Sequence, residues 1–314
     1  MLARVAENIY WLGRYLERVD GTVRLLNAHT NLLLDSPYTT ASIGWTPLLA
    51  VTGMDELYFE HYPQVTAASV SKFIIADTRN SGSLVSSIQA VRYNLRACRD
   101  MMPTSLYTTI NGLCLASKAN LGDNFNVANK HMALSDIEQR MLAIFGAIDS
   151  TMNRDQSYQF LRVGLHIERA DMTSRILDVR SANLLPTKDQ QSLVPFDNRQ
   201  WESVLQSVSA LQMYRRQSGA VAGPEVLNYL LQNNTSPRCY RYCVDRLQAH
   251  LQAIGGGEKA LSELAKLIER LESAQMTELA NDPSSLHAFV DELEILLIGV
   301  SNGINESYYS PKEI

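Results

Sequence analysis

Apolar positions recur every three to four residues along nearly the whole chain. No stretch alternates apolar with polar and is bounded by turn residues, as a half-buried strand would be. The pattern predicts an all-α protein. In the first segment Leu12, Leu16, Val19, Val23 and Leu26 form one apolar stripe, which must be buried. One residue along from it, Gly13, Glu17, Asp20 and Arg24 fall at i, i+4, i+7 and i+11. At about 100° per residue they share a narrow polar face. A charged stripe that adjoins the buried one belongs at the edge of the core or inside it, not opposite it in water. Glycine costs about 1 kcal/mol relative to alanine inside a helix, so Gly13 marks a close approach of another backbone or a ligand.

The same stripe returns at Gly164, Glu168, Asp171 and Arg175. With Arg18/Arg169, Thr22/Thr173 and Leu26/Leu177 it makes seven matched positions at one offset (168 − 17 = 175 − 24 = 151). Further on, Trp201, Val204 and Leu205 echo Trp45, Leu48 and Leu49 (201 − 45 = 156). Val226, Tyr229, Leu230, Leu231 and Asn233 echo Val70, Phe73, Ile74, Ile75 and Asp77 at the same spacing. The expectation is a helical bundle built from two tandem pseudo-equivalent halves related by internal duplication, residues 1–151 and 152–314. The short link from Asp149 to Gln156 favours one continuous body, a single domain over 1–314.

The two motif helices, about Ala3–Leu34 and Gln156–Asn183, are expected to cross through Gly13 and Gly164. Between them the signals predict a helix capped by Ser83 and reaching Met101, one opened by Pro103 and running through Ser117, and one reaching Met152. Asn120–Asn124 and Leu185–Asp189 read as loops. Helices from about Ser236, Glu258 and Pro283 complete the second half, with Gly255-Gly256-Gly257 as a break.

A net charge of −5 argues against a nucleic-acid binder, which usually carries a basic stripe, and no run approaches the roughly 18 apolar residues of a membrane span. Arg4, Glu7, Arg14, Glu17 and Arg18 interrupt the amino-terminal apolar pattern, which argues against a secretory signal. Four cysteines without disulfide-scaffold density fit a reducing compartment, and the expected location is cytoplasmic. Cys239, Cys243 and His250 share a helix face, but structural zinc sites show two close ligand pairs, so they read as core fillers beside a boundary histidine.

The chemistry candidates gather on the two stripes. Glu17 and Glu168 are the candidate general bases; Asp20, Arg24, Asp171 and Arg175 are the candidate binding groups around them. The competing reading is an ion-pair network that fixes helix register. Four acids against two arginines call for further counter-charge, from Arg92, Arg96 and Arg99 or from Arg238, Arg241 and Arg246. Arg92, Arg96 and Arg99, at i, i+4 and i+7, make a cationic face that is either solvated or an anion clamp. No histidine has an acid three residues before it, which removes the di-iron carboxylate pattern. No phosphate loop, serine elbow or cofactor motif stands out, so no metal or cofactor is assigned.

Ala6-Glu7-Asn8-Ile9-Tyr10-Trp11-Leu12-Gly13-Arg14-Tyr15-Leu16-Glu17-Arg18, the run from Gly164 to Arg180, Arg92, Asn94, Arg96 and Arg99, and Ser236-Pro237-Arg238 together resemble the bacterial alpha-E family. Tyr93 and Leu95 depart from the family's pattern between the arginines, as does Gly21. The resemblance implies a helical protein encoded beside a circularly permuted ATP-grasp ligase and a transglutaminase-like protein, near peptide modification by amide-bond chemistry. The leading expectation is an accessory or substrate-presenting partner of such a ligase. One alternative is an enzyme acting on an anionic peptide-like substrate with Glu17 or Glu168 as base. A structural scaffold is the other.

Overall fold

The computed structural model describes residues 1–35, 44–121, 127–184 and 194–310. Among the described residues the chain is all-α, with fifteen α-helices and no strand. Two helices are far longer than the rest: α1 (Ala3–Asp35) and α8 (Gln156–Leu184), the pair that carry the repeated stripe. The loops read at Asn120–Asn124 and Leu185–Asp189 lie largely or wholly outside the described residues. The chain divides into two compact units, Met1–Asn27 with Thr39–Leu165 and Ala28–Tyr38 with His166–Ile314.

In the first unit, α1 is followed by α2 (Thr46–Thr52), α3 (Asp55–His61), α4 (Ala67–Ile75), α5 (Leu84–Ala97), α6 (Thr104–Leu121) and α7 (Lys130–Thr151). α5 packs on α6, and α6 on α7. Leu12, Leu16, Val19 and Val23 are completely buried, as the apolar stripe requires. Against them lies the start of α8. A β-carbon on Gly13 would fall far inside contact distance of the Leu161 carbonyl oxygen and 3.1 Å from the Leu165 amide nitrogen. One on Gly164 would meet the Tyr10 carbonyl oxygen in the same way and lie 3.1 Å from the Arg14 amide nitrogen. The contacts are reciprocal: Leu161 stands to Tyr10, and Leu165 to Arg14, at the offset of 151 that relates the glycines.

α5 is shorter than its pattern predicts. It ends at Ala97, with Cys98 as its cap and a single 3₁₀ turn over Arg99–Met101. Pro103 explains why the 3₁₀ turn goes no further, because the residue before a proline is pushed out of helical conformation; Met102 is extended. The Pro103 carbonyl accepts from the Tyr107 amide, so this proline caps α6 rather than occupying its first turn. Ser83 caps α5 as expected, accepting from the Ser86 amide.

The second unit contains α9 (Val194–Ser207), α10 (Leu211–Ser218), α11 (Gly223–Gln232), α12 (Tyr240–Ile254), α13 (Glu258–Glu272), α14 (Met276–Leu279) and α15 (Pro283–Ile304). α12 packs on α13, and α13 on α15. α12 begins at Tyr240 rather than near Ser236, because the Asn233 side chain holds residues 235 and 236 in a turn by accepting from their amides. Gly255 and Gly256, at φ +75 and +70, make the expected break after it. Trp45 and Trp201 differ in setting: Trp45 precedes α2 directly after left-handed Gly44, whereas Trp201 lies inside α9.

Each unit also contains a tyrosine latch. In the first, the fully buried Tyr58 of α3 donates to the Gln64 carbonyl at 2.8 Å and meets Phe73 of α4 edge-on at 5.2 Å. In the second, the fully buried Tyr214 of α10 donates to the Ala220 carbonyl at 3.2 Å and meets Tyr229 of α11 edge-on at 5.2 Å.

Candidate functional site

The charged stripes are inside, as their position beside the apolar stripe requires. Glu17 is 1% exposed, Asp20 0% and Glu168 3%, whereas the Asp171 side chain retains 23%. Asp20 is neutralised from one turn on: Arg24 donates from Nε at 2.8 Å and from Nη2 at 3.3 Å. Arg24 also reaches Glu138 of α7 at 3.5 Å. Burial works against this cation, but Asp20, Glu138 and Glu17 outweigh it and raise its pKa, so it stays charged. The second stripe follows the same plan. Arg175 pairs with Asp171 at 3.2 Å, and Asp171, Glu294 of α15 and Glu168 together overcome the burial that opposes its charge.

The arginines that follow the two glutamates do different work. Arg18 lies over the Tyr15 ring at 5.2 Å. Arg169 donates to the Pro237 carbonyl at 3.2 Å, and the Thr173 hydroxyl lies 3.1 Å from the Arg238 carbonyl. In the second unit the motif helix therefore holds the Ser236-Pro237-Arg238 turn. Arg241, one candidate for balancing the stripe, is engaged instead by Asp245 and Glu272, at 2.8 and 2.9 Å. Burial pushes the Cys98 and Cys239 thiols up to about 12, so both are neutral core fillers. Cys243 is likewise buried, and His250 stacks on His166 at 5.5 Å.

Arg92, Arg96 and Arg99 are exposed. Arg92 and Arg96 stand one turn apart on α5, but the helix stops before Arg99, which lies over the Tyr107 ring at 5.3 Å. Arg92 instead borders a groove between α5 and α6. A hollow of about 380 Å³ there is walled by Val85, Ile88, Gln89, Cys114, Leu115 and Ser117, with Arg92 and Lys118 as its cations. Val85, Gln89 and Lys118 also line an adjoining hollow of about 650 Å³ that adds Lys72 and Arg79. Asp77 is the acid among the described residues lining the groove. Arg79 binds it through Nε at 2.9 Å and through its backbone amide at 3.0 Å, which holds its carboxyl far below the usual carboxylate range.

Lys72, Arg79 and Lys118 were not visible as site residues in the sequence. They lie on three separate segments, and only the packing of α4 and α6 on α5 brings them near Arg92.

The chain matches the Alpha-E family, described as a predicted alpha-helical domain with a conserved ER motif, over residues 1–309. Glu-Arg pairs stand at Glu17-Arg18 and Glu168-Arg169, in the two stripes, and again at Glu269-Arg270. Among curated proteins it is similar to an uncharacterised protein of Mycobacterium bovis at 23% identity and to two uncharacterised proteins of Mycobacterium tuberculosis at 23% and 22%. Each alignment covers 96% of this chain and 36% of the relative, so the chain spans about a third of the length of the curated relatives it matches. No solved structure matches it. With the family match running almost end to end, and the Glu-Arg pairs set in the buried stripes of its two longest helices, the chain belongs to the Alpha-E family.

Proposed function

We propose that the chain is a substrate-presenting partner of an ATP-grasp amide ligase system, and that the α5–α6 groove receives the acidic peptide segment it presents. The observation that carries this reading is the groove itself. In a chain of net charge −5, Arg92, Lys118, Lys72 and Arg79 converge on one apolar-floored channel whose described acid is already bound by Arg79. Guanidinium and ammonium groups over an apolar floor suit carboxylates carried on a peptide. The deep burial of Glu17 and Glu168 favours a register-fixing role for both over that of a general base open to substrate. The pairing with an ATP-grasp ligase rests on the family resemblance, as does the two-half architecture of 1–151 and 152–314 on the repeated motifs.

Fluorescence anisotropy with a labelled hexaglutamate peptide tests the groove. Binding should weaken with salt, exceed that of a hexaglutamine peptide, and fall by about tenfold in an Arg92→Ala/Lys118→Ala protein, roughly 1.4 kcal/mol. Equal affinity for both peptides, or indifference to the double substitution, would remove the groove from the proposal. Co-purification with an ATP-grasp ligase, and ATP turnover measured with and without this chain, tests the partnership separately.

A further inference from the structure

We propose that Asp178, His287 and Asp291 form a binding site for a divalent cation of the zinc class on the second unit. The site is independent of the groove between α5 and α6. One donor atom from each residue lies within 4.8 Å of the other two. His287 Nδ1 is 2.5 Å from Asp178 Oδ1, and Nε2 is 3.6 Å from Asp291 Oδ2. Asp178 comes from α8, while His287 and Asp291 stand one turn apart on α15, the spacing that puts imidazole and carboxylate on one helix face.

One imidazole and two carboxylates are donors that zinc(II) accepts, and three protein ligands leave a fourth position open to water or another donor. The His287 and Asp291 side chains are 57% and 56% exposed. Because the two carboxylates now meet different ring nitrogens, these exposed side chains would turn to bring one nitrogen and both carboxylates onto a single ion.

The surrounding charge favours a dication. Glu294 adds its charge beside Asp178 and His287, and it is linked in turn to Asp171 and to Arg175, the cation paired with Asp171. Asp171, Asp178, Asp291 and Glu294 thus crowd a patch whose cations are Arg175 and, when protonated, His287. Glu294 registers the imbalance: burial first, then Asp171 and Asp178, raise its pKa, against the opposing pull of Arg175 and a hydrogen bond from Ser174. A divalent ion would relieve this repulsion more fully than a proton on His287 can. Coordination needs a neutral ring nitrogen, so binding displaces any proton on that nitrogen into solvent.

The test is a titration of the metal-free full chain with cobalt(II), followed by visible absorption, and with zinc(II), followed by calorimetry in two buffers of different ionisation enthalpy. One equivalent of either ion should bind, with proton release on zinc binding that grows as the pH is lowered from 8 to 6. His287→Ala and Asp178→Asn should abolish the cobalt spectrum, and Asp291→Asn should weaken binding by at least about tenfold. His61→Ala and His131→Ala, which remove exposed histidines elsewhere, should leave it unchanged. Circular dichroism of each variant checks that the exposed substitutions leave the fold intact. Absence of binding at millimolar zinc, or equal binding by the His287→Ala protein, would show that the cluster is an ion-paired histidine only.

Discussion

A β-carbon at Gly13 or Gly164 has nowhere to go, because each glycine faces a carbonyl oxygen of the opposing helix backbone and not the yielding end of a side chain. Alanine at either position gains about 1 kcal/mol of helix propensity. It must also force α1 and the start of α8 apart, and overpacking that shifts side chains and backbone costs about 1–3 kcal/mol, occasionally more, here at the upper end because the clash is with backbone. Gly13→Ala and Gly164→Ala should therefore each lower unfolding stability by a net 2 kcal/mol or so, read as a lower urea midpoint. The double substitution should cost less than the two single losses combined, since one displacement relieves both clashes. Additive losses would mean that the two glycines do not share a crossing. This contact was legible in the sequence, because glycine inside a long amphipathic helix is tolerated only where something comes close. The unequal burial of Asp20 and Asp171 was not, since the matched stripes are alike in sequence and only the neighbouring helices differ.

At the scale of elements, the long helices announce themselves through sustained periodicity, and α3 and α10 do not. Each is seven or eight residues long, about two turns, too short for a 3.6-residue period to be read against the loops around it. What fixes them is a tyrosine whose ring is buried and whose hydroxyl is tied to a carbonyl six residues on. The two latches correspond residue by residue at the offset of 156 found for the tryptophans and for α4 and α11: Tyr58 with Tyr214, Gln64 with Ala220, Phe73 with Tyr229. We propose that they descend from one ancestral unit. Tyr58→Phe and Tyr214→Phe leave the ring packing intact but remove the hydroxyl's hydrogen bond, and each should cost about 1 kcal/mol in equilibrium unfolding. The Tyr58 loss should be the larger, because its hydroxyl also lies 2.6 Å from that of Ser69. A larger loss at Tyr214 would mean that the second latch carries partners beyond this shared pattern.

For the molecule as a whole, the groove and the Asp178–His287–Asp291 cluster were hidden in the sequence because their members sit on different elements, consecutive ones for the groove and the distant α8 and α15 for the cluster, and a helical pattern reports only its own face. Both clusters have consequences for stability that act at opposite ends of the pH scale. Asp77 is depressed, chiefly by hydrogen bonds from Arg79 with a smaller one from Tyr62, against the burial that opposes its charge. Its contribution is present above the unfolded value of about 3.9 and is lost as pH falls towards its folded value. His287 is raised, first by its hydrogen bond to Asp178 and by the charge of that carboxylate, then by Asp291 and Glu294, with partial burial opposing. Its contribution is complete below the unfolded value of about 6.5 and is lost as pH rises through the folded value. Glu294, raised by burial and by Asp171 and Asp178, acts in the same direction: its share is present below about 4.3 and disappears on the way up. Urea unfolding in the presence of a chelator should accordingly show stability falling on the alkaline side of about pH 6.5, through His287, and on the acid side of about pH 4, through Asp77. His287→Gln should flatten the alkaline limb and leave the acid limb in place, and Asp77→Asn should do the reverse. If the alkaline limb of the His287→Gln protein kept its wild-type slope, the cluster on α8 and α15 would not be the group that titrates there.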